Sequence, residues 1–395
     1  MAKIKYIDEV NITGKKVLLR LDLNVSLNPD FSIADDARIQ QSLPSIKYLL
    51  QNKNRLILVS HLDRPKKRDP KYSLQVVVDS LKKYLPEYEI ILVDDFLSHK
   101  NYQLFADQKE NQILVLENIR FYHEEKKNSP EFNFKLSSLA DIYVNDAFGV
   151  SHRADSSVVG VPHTGIPAYG GLLLKKEVQM ILKIIQKPKH PVLAIIGGAK
   201  ISTKINLIGK LVENANNVIV GGGLANTFLA AQGFNIGKSL YEHEQLDNAR
   251  RMFFMAAQKH TTITLPLDVV VASSENATVG KVKKLYEVIA DDIILDIGPE
   301  TQAKFGAIIA KSKTIVWNGP VGYFENVNFR RGTDFIFYSI AQNQDCITIV
   351  GGGDTISAIS KKEYLDKITH ISTGGGAMLE FIEKGTLPGL EALKR

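Results

Sequence analysis

The chain has 395 residues, more than one hydrophobic core usually supports, so two domains are expected. Its composition, 44% hydrophobic and 23% charged, is typical of a soluble globular protein, and its apolar stretches are too short to span a membrane. The net charge of +6 is spread over both halves, which argues against nucleic-acid binding as the main role, and the single cysteine, Cys346, favours a reducing cytoplasm.

The first part of the chain alternates short strand-like runs with segments long enough to form a helix. Several runs are continuously apolar, which is typical of parallel strands covered on both faces. They lie at residues 17–23, 55–60, 90–93, 113–116 and 142–144. This alternation predicts a doubly wound α/β sheet, in which ligands bind at the carboxyl ends of the strands.

A change of pattern near the middle of the chain predicts a domain boundary. Residues 160–171 are rich in glycine and proline, and residues 172–185 have the periodicity of one helix. Pro188 and Pro191 then end that helix. A single helix between two domains would separate them and let them hinge.

The second part of the chain repeats the strand and helix alternation. Its strand-like runs lie at residues 192–196, 218–220, 269–271, 314–317, 347–350 and 368–371. The predicted fold is therefore α/β, with two doubly wound parallel-sheet (Rossmann-like) domains joined by a hinge helix. We expect these domains at residues 1–170 and 189–385, the hinge helix at 171–188, and the apolar segment 386–395 packed back on the first domain.

Two glycine-containing loops in the second part have the character of phosphate sites. Gly197 and Gly198 precede Lys200 and Lys204, which are four residues apart and are predicted to share one face at the start of a helix. Glycines let backbone N–H groups approach a phosphate closely. The alternative is a pair of solvated lysines on an amphipathic helix.

A second loop runs from Gly351 through Gly352 and Gly353 to Asp354 and Thr355. Its carboxylate and hydroxyl are hard oxygen ligands of the kind that Mg²⁺ prefers. The alternative is that these two side chains only cap a helix.

Polar and basic side chains follow the strands of the first part at comparable places. Guanidinium groups held in fixed positions bind small phosphate or carboxylate groups. A single arginine is usually a surface residue, but several at separate strand ends predict one basic pocket. The candidates are Asp22, Asn24, Arg38, His61, Arg64, Arg120 and Arg153.

Two common nucleotide motifs are excluded. The run from Gly233 to Ser239 has one residue too few between its glycines for a P-loop and follows a helix-like segment, so we interpret it as a helix end and a turn. No stretch has the glycine spacing of a dinucleotide fingerprint, which argues against a dinucleotide-linked oxidoreductase.

Taken together, the segments resemble the phosphoglycerate kinase family. The resemblance runs through essentially the whole chain in the order of the family. The matching stretches are RLDLNV (20–25), ARIQQSLPSI (37–46), SHLDRP (60–65), LENIRFYHEE (116–125), YVNDAFGVSHR (143–153), GGAKISTKI (197–205), LDIGPET (295–301), WNGPVGYFE (317–325), VGGGDT (350–355) and STGGGAMLE (372–380).

The resemblance implies reversible phosphoryl transfer between 1,3-bisphosphoglycerate and MgADP, giving 3-phosphoglycerate and MgATP, in a monomeric cytoplasmic enzyme of glycolysis. It implies that the first domain holds the triose substrate through Asp22, Asn24, Arg38, His61, Arg64, Arg120 and Arg153. Arg38, Lys200 and Lys204 would neutralise the phosphoryl group as it moves. The nucleotide would contact Lys204, Glu325, Gly351, Gly352, Gly353, Asp354 and Thr355, with Asp354 on Mg²⁺.

Three positions depart from the family pattern: Ser26 in place of proline, Asp63 in place of glycine and Asp155 in place of histidine. The two carboxylates lie close in sequence to arginines expected to bind substrate, so they bear on affinity. For Asp63 we expect a backbone role, because Asp tolerates a positive φ, with its side chain turned toward Lys66, Lys67 or Arg68 and away from the ligand. The rival function is a non-catalytic phosphometabolite- or nucleotide-binding homologue.

Overall fold

The computed structural model describes residues 3–359 and 362–394 and divides into two compact units. The first unit extends to Gln179 and takes in the C-terminal residues from Thr386 onward. The second unit runs from Met180 to Gly385. The division falls inside one helix, Leu172–Gln186, which is the helix predicted at residues 172–185.

The first unit is built on a six-stranded sheet whose strands are all parallel. Its strands follow the order β5-β6-β4-β1-β7-β8, and two further short strands, β2 and β3, form a hairpin. The bounds are β1 Lys16–Arg20, β2 Ser26–Leu27, β3 Ile33–Asp35, β4 Arg55–Val59, β5 Glu89–Val93, β6 Gln112–Leu116, β7 Ile142–Asn145 and β8 Ala168–Gly170.

Helices cover both faces of this sheet, and the apolar side chains of β1, β4 and β6 are buried between them. The bounds are α1 Ala37–Gln51, α2 Gln75–Tyr84, α3 Tyr102–Ala106, α4 His123–Lys127, α5 Pro130–Ser137, α6 Val161–His163 and α7 Leu172–Gln186. A π-helical turn, Ser156–Gly160, precedes α6. The buried, continuously apolar strands explain why the sequence pattern indicated a parallel sheet.

The second unit has its own six-stranded parallel sheet, in the order β11-β10-β9-β15-β16-β17, and a separate antiparallel sheet, β13-β12-β14. The strand bounds are β9 Val192–Ile196, β10 Asn217–Val220, β11 Thr262–Thr264, β12 Asp268–Ala272, β13 Lys281–Lys284, β14 Ile293–Ile297, β15 Thr314–Asn318, β16 Ile347–Gly351 and β17 His370–Ile371. The helix bounds are α8 Ile205–Asn214, α9 Gly222–Ala231, α10 Leu246–Gln258, α11 Pro299–Lys311, α12 Arg331–Gln342, α13 Gly353–Ser357 and α14 Gly375–Lys384.

The predicted α/β class with two parallel-sheet domains is confirmed, with corrections in detail. The run at residues 269–271 belongs to the antiparallel sheet, because a short apolar run has the same pattern in either kind of sheet. The glycine-rich stretch before α7 contains β8, which the sequence did not indicate. Gly233 follows α9 with a φ of 89°, the conformation expected at a helix end.

The C-terminal segment packs on the first unit. Its helix α15, Pro388–Glu391, places the N–H of Gly389 2.8 Å from the carbonyl oxygen of Ser151. A side chain at Gly389 would meet Val158, and Ala392 is buried beside the same valine. None of the helices in the described parts of the chain combines the length and apolar character that crossing a membrane requires.

Candidate functional site

In the first unit the candidate residues lie beyond the carboxyl ends of four adjacent strands. Strands β6, β4, β1 and β7 are neighbours in the sheet and run in the same direction. Asp22 and Asn24 follow β1, His61 follows β4, Arg120 follows β6 and Arg153 follows β7. Since the carboxyl ends of parallel strands share one edge, the fold brings these segments to one place.

Arg38, at the start of α1, is half-buried and forms an ion pair with Asp22. The other oxygen of the Asp22 carboxylate accepts a hydrogen bond of 3.3 Å from the N–H of Asn24. The side-chain oxygen of Asn24 in turn accepts a bond of 2.6 Å from the N–H of Asp63. The carboxylate of Asp22 therefore orients Arg38, and Asn24 ties the loop after β1 to the loop after β4.

Asp63 has a φ of 55°, in the left-handed region, so the expected backbone role is observed. Its carboxylate accepts a hydrogen bond of 2.8 Å from the N–H of Arg64. The expectation that it would turn toward Lys66, Lys67 or Arg68 is wrong, because the carboxylate bonds to the adjacent N–H instead, and Arg68 donates to the carbonyl oxygen of Asp94. Arg64 itself is exposed.

His61 is buried among cations. Its relative exposure is 2%, and its Nδ1 lies 3.3 Å from a terminal nitrogen of Arg20. Burial first, and then the positive charges of Arg20, Arg120, Arg153 and Arg38, hold the pKa of His61 well below its usual value of 6.5. His61 is therefore neutral near pH 7 and acts as a hydrogen-bonding group without a charge.

Arg120 carries the clearest indication that an anion belongs in this pocket. Its side chain is buried, and one terminal nitrogen donates a bond of 2.5 Å to the carbonyl oxygen of Asp63. The other terminal nitrogen is buried and has no hydrogen-bond partner among the described residues. Burial and the charge of Arg153 lower the pKa of Arg120 to about 10, while Asp155 acts in the opposite sense. A buried guanidinium with an unused donor is costly unless a ligand completes it.

In the second unit a cavity of about 250 Å³ lies at the carboxyl ends of β9, β10, β15 and their loops. Its wall is largely apolar, with Leu229, Leu240, Val269 and Val321 among the lining residues. The polar lining residues differ in exposure: Asn226 and Asp296 are buried, whereas Glu325 and Asp354 are exposed. A concave apolar surface with few polar groups is the usual form of a site for a ring-containing small molecule.

Lys204 is anchored beside this cavity. Its amine donates bonds of 2.7 Å to the carbonyl oxygen of Gly197 and to Oδ1 of Asn318. Burial lowers the pKa of Lys204 to about 8, and the charge of Asp354 opposes that shift. Gly319, with a φ of 92°, leaves the room that the amine occupies, since a Cβ there would lie 3.0 Å from Nζ.

The structure corrects the prediction that Lys200 and Lys204 share one face of a helix. Helix α8 begins at Ile205, with Lys204 as its N-cap residue, and Lys200 lies in the preceding loop. Lys200 is exposed, whereas Lys204 is half-buried. The two lysines therefore differ in character: Lys204 is fixed, and Lys200 is free to reach a ligand from solvent.

The loop at 351–355 divides into a buried and an exposed part. Gly352 has a φ of 108°, and a Cβ there would lie 2.6 Å from the side chain of Asn318. The hydroxyl of Thr355 is buried, accepts from the N–H of Gly319 at 2.7 Å and donates to the carbonyl of Gly351 at 3.0 Å. These two bonds use the proton and one lone pair of the hydroxyl, and they fasten the loop to Gly319. Gly353 and Asp354 are exposed.

The residues present fit a magnesium ion held mainly by its nucleotide. Within residues 3–359 and 362–394, no group of three or more His, Cys, Asp or Glu side chains is arranged to hold a metal ion. Mg²⁺ usually keeps several waters and binds through one or two carboxylates plus substrate phosphates. The exposed carboxylate of Asp354, on the wall of the cavity, is a group of the kind that such an ion takes as a ligand.

Two residues that sequence reasoning left without a role prove central. Arg20 is 1% exposed and contacts His61, and Asn318 connects Lys204 with the loop at 351–355. Both stand at the last position of a strand, β1 and β15. Their position at the end of a strand was a signal that they lie near the site. Their partners are far away in sequence, so the contacts themselves could not be predicted.

The chain has two parallel-sheet α/β domains. One carries a cluster of arginines, and the other carries a lysine, a carboxylate and an apolar cavity. These features are those of a two-domain phosphotransferase. The family model for phosphoglycerate kinase matches residues 7–385. The cytosolic phosphoglycerate kinase of Nicotiana tabacum is 43% identical over 388 residues, covering 98% of this chain and 96% of the relative. The phosphoglycerate kinase of Dictyoglomus turgidum is 44% identical over 398 residues, covering 100% of both chains.

Solved structures agree with the sequence comparison. The phosphoglycerate kinase of Coxiella burnetii superimposes with a TM-score of 0.89 at 37% identity, covering 99% of this chain and 98% of that one. The enzyme of Pyrococcus horikoshii gives a TM-score of 0.83 at 30% identity, with the same coverage of both chains. This chain belongs to the phosphoglycerate kinase family, as its motifs indicated, and the non-catalytic alternative is not favoured.

Proposed function

We propose that this chain catalyses reversible phosphoryl transfer between 1,3-bisphosphoglycerate and ADP, giving 3-phosphoglycerate and ATP. The observation that carries the proposal is the basic cluster of the first unit, in which Arg120 keeps a buried, unused donor and Arg20, Arg38, Arg120 and Arg153 all act on His61. Such a cluster suits a small molecule with two anionic ends. Asp22, Asn24 and Arg64 complete the set of residues that we assign to the triose substrate.

The second unit is assigned to the nucleotide. We assign the apolar cavity to the base, and we assign Glu325, which lines it, to the ribose hydroxyls. Lys204 and the loop of Gly351, Gly352 and Gly353 serve the phosphates, and Thr355 contributes through its backbone because the proton of its hydroxyl is already used. Asp354 would hold Mg²⁺, which would neutralise part of the charge of the phosphates.

No general base is required for this reaction. The attacking group is a carboxylate in one direction and a phosphate oxygen in the other, and both are ionised near neutral pH. What remains is to hold the reactants in line and to stabilise the charge on the transferred phosphoryl group. Arg38, fixed by Asp22, and the lysines Lys200 and Lys204 supply that charge stabilisation.

The two ligands are assigned to different units, so the proposal includes a hinge motion that brings them together and excludes water. Small-angle scattering should then give the smallest radius of gyration with 3-phosphoglycerate and MgATP present together. Equal values for the free and doubly liganded protein would count against the motion. A monomeric state belongs to the same proposal. So does a cytoplasmic location, which the name of the cytosolic Nicotiana relative supports.

The decisive experiment is incubation of the purified chain with 3-phosphoglycerate and MgATP, with a trap for the acyl phosphate and detection of ADP. We expect turnover that needs both 3-phosphoglycerate and Mg²⁺ and that stops when EDTA is added in excess. Release of ADP at the same rate without 3-phosphoglycerate would identify a simple ATPase and overturn the assignment. Absence of turnover, with binding of either substrate retained, would favour the non-catalytic homologue.

A further inference from the structure

The contact between Arg20 and His61 determines which nitrogen of the imidazole carries the proton. Nη2 of Arg20 lies 3.3 Å from Nδ1 of His61, and both side chains are buried, at 1% and 2% exposure. A guanidinium has five donors and no acceptor. Nδ1 must therefore accept this hydrogen bond, and the proton of the neutral ring must reside on Nε2.

The charges around His61 keep the ring neutral. Arg20 comes from β1, Arg38 from α1, and Arg120 and Arg153 from the loops after β6 and β7, and all four act against a positive charge on the imidazole. The carboxylate of Asp22 is engaged by Arg38. The environment of His61 is thus cationic on every side that these elements provide.

Arg20 is itself held in a fixed orientation by a buried network. Its Nε donates a bond of 2.8 Å to the hydroxyl oxygen of Ser157, and its Nη1 donates to the carbonyl of Leu21. The hydroxyl of Ser157 donates 2.6 Å to Glu125, and the N–H of Ser157 donates 2.9 Å to the other oxygen of the same carboxylate. Ser157 and Glu125 are also buried.

The network leaves Arg20 without a direct ion pair. No carboxylate among the described residues lies within salt-bridge distance of its guanidinium. Glu125 is joined to Arg20 by the hydrogen bonds of Ser157, and the two charges also attract each other across that distance. A buried arginine that contacts a histidine and has no direct ion pair is better suited to orienting the ring than to binding a carboxylate of the protein. The side-chain polar atoms of Glu125, Ser157 and Arg20, together with Nδ1 of His61, each have a partner in this network, which favours one orientation of the ring.

We propose that Arg20, held by Ser157 and Glu125, is a positioning residue that fixes His61 as the neutral Nε2–H tautomer, so that His61 binds the acidic triose as a hydrogen-bond donor without adding charge. The proposal rests on the proposed function for the identity of the ligand. The charge of the substrate is then balanced by arginines alone, while His61 orients the substrate through a hydrogen bond from Nε2–H. Nuclear magnetic resonance can test the tautomer without any catalytic assay.

The first test uses the full-length chain labelled with ¹⁵N, with the signals of His61 identified by their loss in His61→Gln. Long-range ¹H–¹⁵N correlation spectra between pH 5.5 and 8.5 should show a proton on Nε2 only and no titration of the ring. Addition of 3-phosphoglycerate without nucleotide should shift the Nε2 signal. A proton on Nδ1, a titration near the ordinary pKa of histidine, or an Nε2 signal that ignores the ligand would each overturn the proposal.

The second test breaks the network at Ser157, since replacement of the fully buried Arg20 could prevent folding. Ser156→Ala is the matched control, because the hydroxyl of this adjacent buried serine donates 3.0 Å to the carbonyl of Glu124 and does not contact Arg20. We expect Ser157→Ala to mix the tautomers of His61 and to raise the KM for 3-phosphoglycerate about tenfold with kcat within about twofold. Ser156→Ala should leave the tautomer and the KM unchanged.

Equal effects of the two serine substitutions on KM, or an unmixed tautomer in Ser157→Ala, would show that the network is only structural. Failure of the proposed function would be seen separately. In that case the parent chain would have no 3-phosphoglycerate-dependent turnover, whereas the protonation state of His61 would still be read from the spectra.

Discussion

The amine of Lys204 donates a hydrogen bond of 2.7 Å to Oδ1 of Asn318, a residue 114 positions further along the chain. The side-chain nitrogen of Asn318 donates 2.6 Å to the carbonyl oxygen of Gly351. The side-chain amide of Asn318 thus links Lys204 with the glycine loop at Gly351, and we assign both of them to the phosphates of the nucleotide. The relative placement of these two parts depends on Asn318.

Replacement of Asn318 should therefore change the kinetic constants for MgATP more than those for 3-phosphoglycerate. For Asn318→Ala we expect kcat/KM for MgATP to fall by about ten- to a hundredfold, because the buried hydrogen bonds that it makes are each worth about 1–3 kcal/mol when one partner is left unsatisfied. The KM for 3-phosphoglycerate should stay within about twofold. Asn328→Ala, at an exposed asparagine, serves as the control. An equal rise in both KM values would contradict the assignment.

The charge of Lys204 predicts a loss of activity at alkaline pH. Burial lowers its pKa to about 8, so the free enzyme loses this positive charge as the pH rises through that value. We expect kcat/KM for MgATP to decrease above about pH 8 in the parent. Lys204→Arg keeps the charge at all accessible pH values, so its profile should be flat there, although its absolute rate is lower. An alkaline decrease of the same midpoint in both proteins would assign it to another group.

The sequence indicated where the site would lie but not how it is held together. Residues at strand ends could be predicted, because continuously apolar runs identify parallel strands and the carboxyl ends of such strands share one edge. The geometry of Lys204 could not, because the helix there begins only at Ile205, after a loop. Arg20 and Ser157 are 137 residues apart, and only tertiary packing brings such partners together.

Arg38 and Arg64 should have separable effects. Arg38 is fixed by Asp22, whereas Arg64 is exposed. Arg38→Ala removes a group to which we assign the stabilisation of the moving phosphoryl charge, so kcat should fall about a hundredfold or more, on the scale of about 3–4 kcal/mol for one such donor. Arg64→Ala, and similarly Arg153→Ala, should chiefly raise the KM for 3-phosphoglycerate. Steady-state kinetics in both substrates decide this, and a change confined to KM in Arg38→Ala would reverse the roles.

We expect residue 63 to matter through its backbone conformation and not through the charge of its side chain. Its φ of 55° suits Asp, Asn or Gly, and its carboxylate accepts the N–H of Arg64. Asp63→Asn keeps both properties, so we expect the KM for 3-phosphoglycerate to stay within about threefold of the parent. Asp63→Val, which disfavours this φ, should be destabilised by about 1–3 kcal/mol in urea unfolding. A KM at least tenfold lower in Asp63→Asn would show instead that the carboxylate repels the substrate.

Asp146 predicts a pH-dependent stability of the first unit. It follows β7, is fully buried, and accepts a hydrogen bond of 2.9 Å from the N–H of Leu174, while its other oxygen has no partner among the described residues. Burial raises the pKa of Asp146 from 3.8 to about 7, in spite of the hydrogen bonds that lower it. The folded state therefore binds this proton more tightly than the unfolded state does.

The sign of the effect follows from that difference. Between about pH 4 and pH 7 the folded protein keeps a proton that the unfolded chain has lost, so folding takes up a proton and the contribution of Asp146 to stability decreases as the pH rises. Asp146→Asn has no proton to lose, and its free energy of unfolding relative to the parent should improve by about 2 kcal/mol from pH 5 to pH 8. Urea unfolding at the two pH values measures this. Asp107→Asn, at an exposed position, should show no such change, and a difference independent of pH at Asp146 would mean that its carboxyl group is ionised throughout.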